Sequence, residues 1–181
     1  YEKEKILGQH RIVRLLGRGG MGEVYVVVHE LTGKHHALKL LNPEVMKVSG
    51  AFERFQQEAK VMAMLNHPGI VRVDLTGEDE GRHWLRMELM PGREVANQRV
   101  GTLHEFVNVR GGRLPEAEVV LITREILDAL AYAHENKLIH RDLKPANILL
   151  DKDSLKMTDF GLVETVGVDW LKTQFCDNPL L

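Results

Sequence analysis

The chain has little cysteine, few aromatic residues and no long apolar run, and each shortage removes a class of protein. One cysteine, Cys176, among 181 residues excludes an internal disulfide and fits a reducing compartment, so a cytoplasmic chain is expected. Aromatics make up only 6%, yet 44% of the residues are hydrophobic, which leaves aliphatic side chains enough to build a real core. The longest apolar stretches, such as Val24-Tyr25-Val26-Val27-Val28, fall far short of the roughly 18 residues a membrane span needs, and no secretory leader is expected. Excess charge is missing as well. Lys+Arg 24 against Asp+Glu 26 gives a formal net charge of −2, so bulk electrostatics call for neither nucleic acid nor an anionic membrane.

Polar chemistry is instead concentrated between His140 and Gly161. His140-Arg141-Asp142-Leu143-Lys144-Pro145-Ala146-Asn147 is followed by Ile148-Leu149-Leu150 and Leu155-Lys156-Met157, two short strand-like runs bracketing Lys152-Asp153, and then by Asp159-Phe160-Gly161. A hairpin brings its two ends together. Asn147 and Asp159 can therefore meet as oxygen ligands for one hard cation with Asp142 close by, an arrangement suited to phosphoryl transfer. Taken singly, Asp142 is also a good turn residue and Asn147 a good cap.

Upstream, Ile12 to Gly17 and Glu23 to Val28 are β-rich runs joined by Gly17-Arg18-Gly19-Gly20-Met21-Gly22, a Gly-x-Gly-x-x-Gly pattern. A dinucleotide-binding fold would open a helix there. Here Val24, Val26 and Val28 continue as a strand, so the turn joins two antiparallel strands, and its bare backbone can offer N–H groups to phosphates at Gly17, Gly19 and Gly22. An ordinary glycine hairpin has the same pattern. His36 to Leu41 forms an apolar strand with Lys39 at its centre, a position where a lysine is usually a surface residue. His29, His35 and His36 lack the Cys or carboxylate spacing of a metal site and read as solvated hairpin residues.

Phe52, Phe55, Ala59, Met62 and Leu65 recur at steps of three and four, the mark of an amphipathic helix, with Glu58 at the edge of the stripe. Strands are expected near Ile70 to Thr76 and Trp84 to Leu89, followed by a connector, Met87-Glu88-Leu89-Met90-Pro91-Gly92, where proline and glycine stop pairing. Arg93 to Thr102 is polar. Pro115-Glu116 opens a long helix to about Asn136, with acids at the positive end of its dipole. Val119, Ile122, Ile126, Leu130 and Ala133 form one face of it. Val120, Leu127 and Ala131 widen that face to about half the circumference, against the roughly 100° of a surface helix, so the second flank expects a partner.

These motifs together resemble protein kinases, and the wording of Gly-Gly-Met-Gly-Glu-Val-Tyr and Asp-Leu-Lys-Pro-Ala-Asn-Ile-Leu-Leu is similar to bacterial Ser/Thr kinases. The resemblance implies an α+β fold: a five-stranded antiparallel N-lobe with one helix over residues 1–90, then hinge and partial, mainly helical C-lobe over 91–181. It implies ATP and Mg2+ as ligands and a protein Ser/Thr hydroxyl as acceptor. Asp142 would orient the acceptor and take its proton, Lys144 would steady the γ-phosphate, and Asn147 and Asp159 would hold the metal. Lys39, fixed by Glu58, would grip the α- and β-phosphates beneath the glycine loop. Backbone groups around Glu88 and Met90 would bond the adenine edge, with Met87 at the back of the pocket, Val24, Ala37 and Leu149 around the ring, and Glu94 towards the ribose. His140 and Phe160 are expected to pack, and Arg141 suggests control by a phosphorylated segment, with Thr165 and Thr173 as candidate phosphosites. No Ala-Pro-Glu follows Gly161. The chain is therefore expected to be a piece of a longer one whose remaining C-lobe, or a partner, covers the long helix. The alternative is a nucleotide-binding regulatory module or a pseudokinase-like interaction fragment without useful transferase activity.

Overall fold

The computed structural model describes residues 6–7, 9–19, 22–47 and 51–160. Its first half is an antiparallel sheet. Strands β1 (Ile6–Leu7), β2 (His10–Gly19), β3 (Gly22–His29) and β4 (His35–Leu41) are followed by a short helix α1 (Pro43–Met46) and by α2 (Ala51–Met64). Strands β5 (Val73–Asp79) and β6 (Arg82–Met87) complete a sheet of order β1-β2-β3-β4-β6-β5. These are the five expected strands, with the two-residue β1 added at one edge.

Successive strand residues point to opposite faces, and β4, paired on both sides, is buried on both. Leu38 and Leu40 join Leu7, Ile12, Tyr25, Val27 and Trp84 in one apolar cluster, whereas Ala37 and Leu41 join a larger one that continues into the second half of the chain. Lys39 alternates with Leu38 and Leu40, so it shares the second face. Phe55, Ala59 and Met62 of α2 pack into that larger cluster as the periodicity requires, the Phe55 and Met62 side chains worth about 1.5–3 kcal/mol each when fully buried.

The strand expected from Ile70 begins only at Val73, because the preceding residues pair elsewhere. Val71 N–H donates to the Met157 carbonyl at 2.9 Å, and Met157 N–H donates to the Gly69 carbonyl at 2.8 Å. Beyond the connector come two elements that the sequence reading passed over. A small hairpin, β7 (Arg93–Val95) with β8 (Gln98–Val100), occupies the polar stretch, and α3 (Leu103–Val109) follows it. Thr102 and Glu105 start α3 with a reciprocal capping box.

Helix α4 (Glu116–Glu135) begins after Pro115 as expected. Ala129 and Ala133 are fully buried, and a β-carbon at Gly69 would stand 2.9 Å from that of Ala129, so the helix lies close against residues 66–72. Packing runs from Ile122 onward, and Val119 in the first turn is exposed, contrary to its place on the expected inner face. The outer flank stands open among the described residues: Val120 is 58%, Leu121 61% and Leu127 58% exposed. No helix among the described residues is long and apolar enough to cross a membrane. A 3-10 turn, Pro145–Asn147, then leads into β9 (Ile148–Leu150), which pairs antiparallel with β10 (Leu155–Met157) across the Lys152-Asp153 turn.

Candidate active site

Asp142 is placed by a tight turn. Its N–H donates to the His140 carbonyl at 2.8 Å around Arg141, which is held at φ 61°, a conformation that costs a non-glycine residue about 1–3 kcal/mol and is maintained only by its surroundings. His140 supplies one such anchor: buried, with its ring centroid 4.5 Å from that of the equally buried Phe160, it packs as expected, and burial pushes its pKa down. The Asp142 carboxylate accepts from Lys144 Nζ at 2.9 and 2.7 Å and from Asn147 Nδ2 at 2.9 Å. The Lys144 hydrogen bond first, and the Asn147 amide after it, hold the Asp142 pKa below the ordinary carboxylate value against the opposing effect of burial. Asp142 is therefore ionised at neutral pH.

Asn147 spends its amide nitrogen on Asp142, donating also to the Asp142 carbonyl at 2.7 Å, which leaves the side-chain oxygen as its ligand atom. The β9–β10 hairpin returns the chain to the same place: Thr158 N–H donates to the Asn147 carbonyl at 3.0 Å. The next residue, Asp159, is again held at positive φ, 61°, and its Oδ1 accepts from Lys39 Nζ at 2.5 Å. Lys39 is only 4% exposed, so the reading of a surface lysine fails. A buried ammonium has to be paired, and its partner lies 120 residues away in sequence. Glu58 lies on α2, but its side chain is outside the described residues.

The three glycines of the loop are not equivalent. A β-carbon at Gly17 or Gly19 would meet nothing within 4 Å, whereas Gly22 has φ 147° and a β-carbon there would stand 2.0 Å from the Leu40 carbonyl oxygen. Gly22 closes β3 against β4. Gly17 and Gly19 face open space. Val24, Ala37 and Leu149 belong to the one apolar cluster that also holds Met87, and the Thr158 hydroxyl reaches Met87 Sδ at 4.0 Å. On the connector, the Glu88 N–H donates to the Arg72 carbonyl at 3.0 Å. Glu94 lies on β7 opposite Arg99, with 3.4 Å between Oε1 and Nη2, both side chains exposed. Arg93 joins β7 to the β9–β10 hairpin, donating from Nε to the Asp151 carbonyl at 3.1 Å. Arg93 and Lys156, which pairs with Glu88, stand outside the set of site residues expected from the sequence.

His29 accepts from or donates to the Thr32 hydroxyl at 3.1 Å and meets the His10 ring edge-on, and no group of three or more His, Cys, Asp or Glu among the described residues has the geometry of a metal site. An Asn–Asp oxygen pair such as Asn147 with Asp159 is a donor set for a hard cation that otherwise takes its ligands from phosphate and water. Thr165 and Thr173 lie outside the described residues.

The site thus combines an ionised carboxylate, an ammonium beside it, an asparagine and an aspartate at the two ends of one hairpin, and a second, buried ammonium paired with that aspartate. The chain matches the protein kinase domain family over residues 10–179. It is 34% identical over 165 residues to the serine/threonine-protein kinase PrkC of Bacillus subtilis, covering 91% of this chain and 24% of that protein. It is 40% identical over 157 residues to the serine/threonine-protein kinase PknF of Mycobacterium tuberculosis, covering 83% of this chain and 31% of that protein. The crystal structure of the Mycobacterium tuberculosis PknI kinase domain superposes with a TM-score of 0.78 at 33% identity, over 91% of this chain and 62% of that one. With the family match running over residues 10–179 and the superposition over 91% of the chain, the chain belongs to the protein kinase domain family.

Proposed function

We propose that this domain binds ATP with Mg2+ and transfers the γ-phosphoryl group to a serine or threonine hydroxyl of a protein. The observation that carries the reading is the contact of Lys39, from the centre of the sheet, with Asp159 at the end of the catalytic hairpin, whose other end holds Asn147 on Asp142. Residues 1–90 would act as the N-lobe and residues 91–181 as hinge and the first part of the C-lobe.

The donor set fits the metal: Asp159 is a carboxylate and Asn147 has only its oxygen uncommitted. When bound, a divalent cation neutralises phosphate charge. Lys39, steadied by Glu58, would grip the α- and β-phosphates, while the N–H groups of the turn from Gly17 to Gly22 close over them. The Glu88 carbonyl and the Met90 N–H would meet the adenine edge, Val24, Ala37 and Leu149 its faces, and Glu94 the ribose. Asp142, ionised and fixed by Lys144 and Asn147, would accept the hydroxyl proton as that oxygen bonds to the γ-phosphorus and the bond to the β,γ-bridging oxygen breaks, releasing ADP. Lys144 would balance charge on the group in transit. Most of the work is positioning and neutralisation.

Transfer of labelled γ-phosphate to a basic protein substrate tests the reading. Asp142→Asn is expected to keep nucleotide binding and lose about 10²–10⁴ in turnover. Near-normal turnover in that variant would remove Asp142 from its role.

A further inference from the structure

The side chain of Glu88 is bound at points that the adenine-edge role of its backbone does not require. Lys156 Nζ donates to Oε1 at 2.8 Å and to Oε2 at 2.9 Å, and the Arg72 N–H donates to Oε1 at 2.7 Å. With side-chain exposures of 29% for Glu88 and 20% for Lys156, the pair is better shielded than an ordinary surface ion pair and escapes the full desolvation cost of a buried one. Three segments meet at this carboxylate: residues 66–72, the connector after β6, and β10. Two of them are joined independently by the backbone bonds of Val71 and Gly69 to Met157. Lys156 itself faces Leu149 in the β9–β10 register, in the hairpin whose ends carry Asn147 and Asp159.

We infer that Glu88 and Lys156 are positioning residues that clamp the connector to the catalytic hairpin and so set the distance between the adenine-binding and metal-binding ends of the nucleotide site. The inference rests on the ATP reading above. Neither charged group touches the nucleotide. Their effect reaches it through the Glu88 carbonyl and the Met90 N–H at one end and through Asn147 and Asp159 at the other. A ligand that spans both ends depends on the clamp, and a ligand held at the connector alone does not.

Titrations of the protein with a fluorescent adenosine and with a fluorescent ATP analogue plus magnesium separate the two. Lys156→Met should raise the Kd for the magnesium–ATP analogue about fivefold, the scale of a charge-assisted pair discounted for partial exposure, and leave that for adenosine within about twofold. Lys156→Arg should restore it. Glu88→Gln should act like Lys156→Met and add little to it in the double variant, because both remove the same contact. If Lys156→Met does not fold, Glu88→Gln provides the same comparison. Equal weakening of both ligands, or unchanged binding of both in variants of a protein that binds magnesium–ATP, overturns the clamp. A wild-type protein that binds adenosine and ATP without any effect of magnesium overturns the reading beneath it, and the clamp falls with it.

Discussion

The hairpin β9–β10 carries three residues per strand in unbroken register and buries Ile148, Leu150, Leu155 and Met157, whereas β2–β3 is longer, has register shifts between Ile12 and Arg14 and between Leu15 and Gly17, and is exposed along β2 from Arg14 to Gly19. Both supply the candidate site. The first holds Asn147 and Asp159 at the ends of a packed, hydrogen-bonded unit. The second is anchored at the start of β3 by Gly22 against Leu40, while Gly17 and Gly19 on β2 face open space. On the proposed function the contrast would separate two jobs: side chains that must keep a fixed geometry would stand on a buried hairpin, and backbone that must admit and cover a ligand on an exposed one.

The largest break in that contrast should come from the buried hairpin. Met157 is fully buried, and both its backbone groups bond residues 66–72, so Met157→Ala leaves a cavity at the joint and is expected to cost about 2–5 kcal/mol of stability. Chemical denaturation measures it. Loss of magnesium–ATP binding should accompany the loss of stability.

Next come the glycines. Gly22→Ala forces a side chain into a left-handed backbone conformation and against a carbonyl oxygen, so a destabilisation of at least about 1–3 kcal/mol is expected. Gly17→Ala meets open space and should stay within about 0.5 kcal/mol of wild type while weakening nucleotide binding. Thermal melts with nucleotide titrations distinguish them, and equal stability loss in both variants would erase the distinction drawn between the two glycines.

The smallest effect is on the exposed hairpin's side of the sheet and depends on pH. Burial lowers the pKa of His10 and of His36 below the ordinary 6.5, with the Arg86 guanidinium adding to both shifts. The unfolded chain therefore binds protons that the folded sheet refuses. Stability from these groups is complete above about pH 6.5 and falls as pH drops from there towards the lowered folded values. Melting at about pH 5.5 should come earlier than at about pH 7.5. Arg86 Nη1 lies 2.9 Å from His10 Nε2, so His10→Gln, which keeps an acceptor without the titration, should narrow the difference.

Much of this arrangement was legible in the sequence because it is local. β-Branched runs marked β3, the step of three and four marked α2, and Asn147 and Asp159 flanked two apolar runs whose pairing could only bring them together. The burial of Lys39 was not legible from the strand itself, where a lysine defaults to solvent; only the resemblance to kinases pointed to it. The Thr102-Leu103-His104-Glu105 capping box does announce α3, but a helix of seven residues with two buried side chains has almost no periodicity to support the signal. Ala96 and Asn97 turn β7 into β8 with φ values of 48° and 64°, and only the asparagine is a residue that invites such a turn. The pairing of Glu88 with Lys156 crosses 68 residues, and no spacing in the sequence encodes a contact of that range.

Binding of a fluorescent ATP analogue with and without magnesium tests the central claim most directly. Tighter binding with magnesium is predicted, together with a marked loss for Lys39→Met, which removes the buried ammonium, and for Asp159→Asn, which removes the metal-side charge. Equal affinity with and without magnesium, or full affinity in both variants, would contradict the assignment of this site to ATP and its metal.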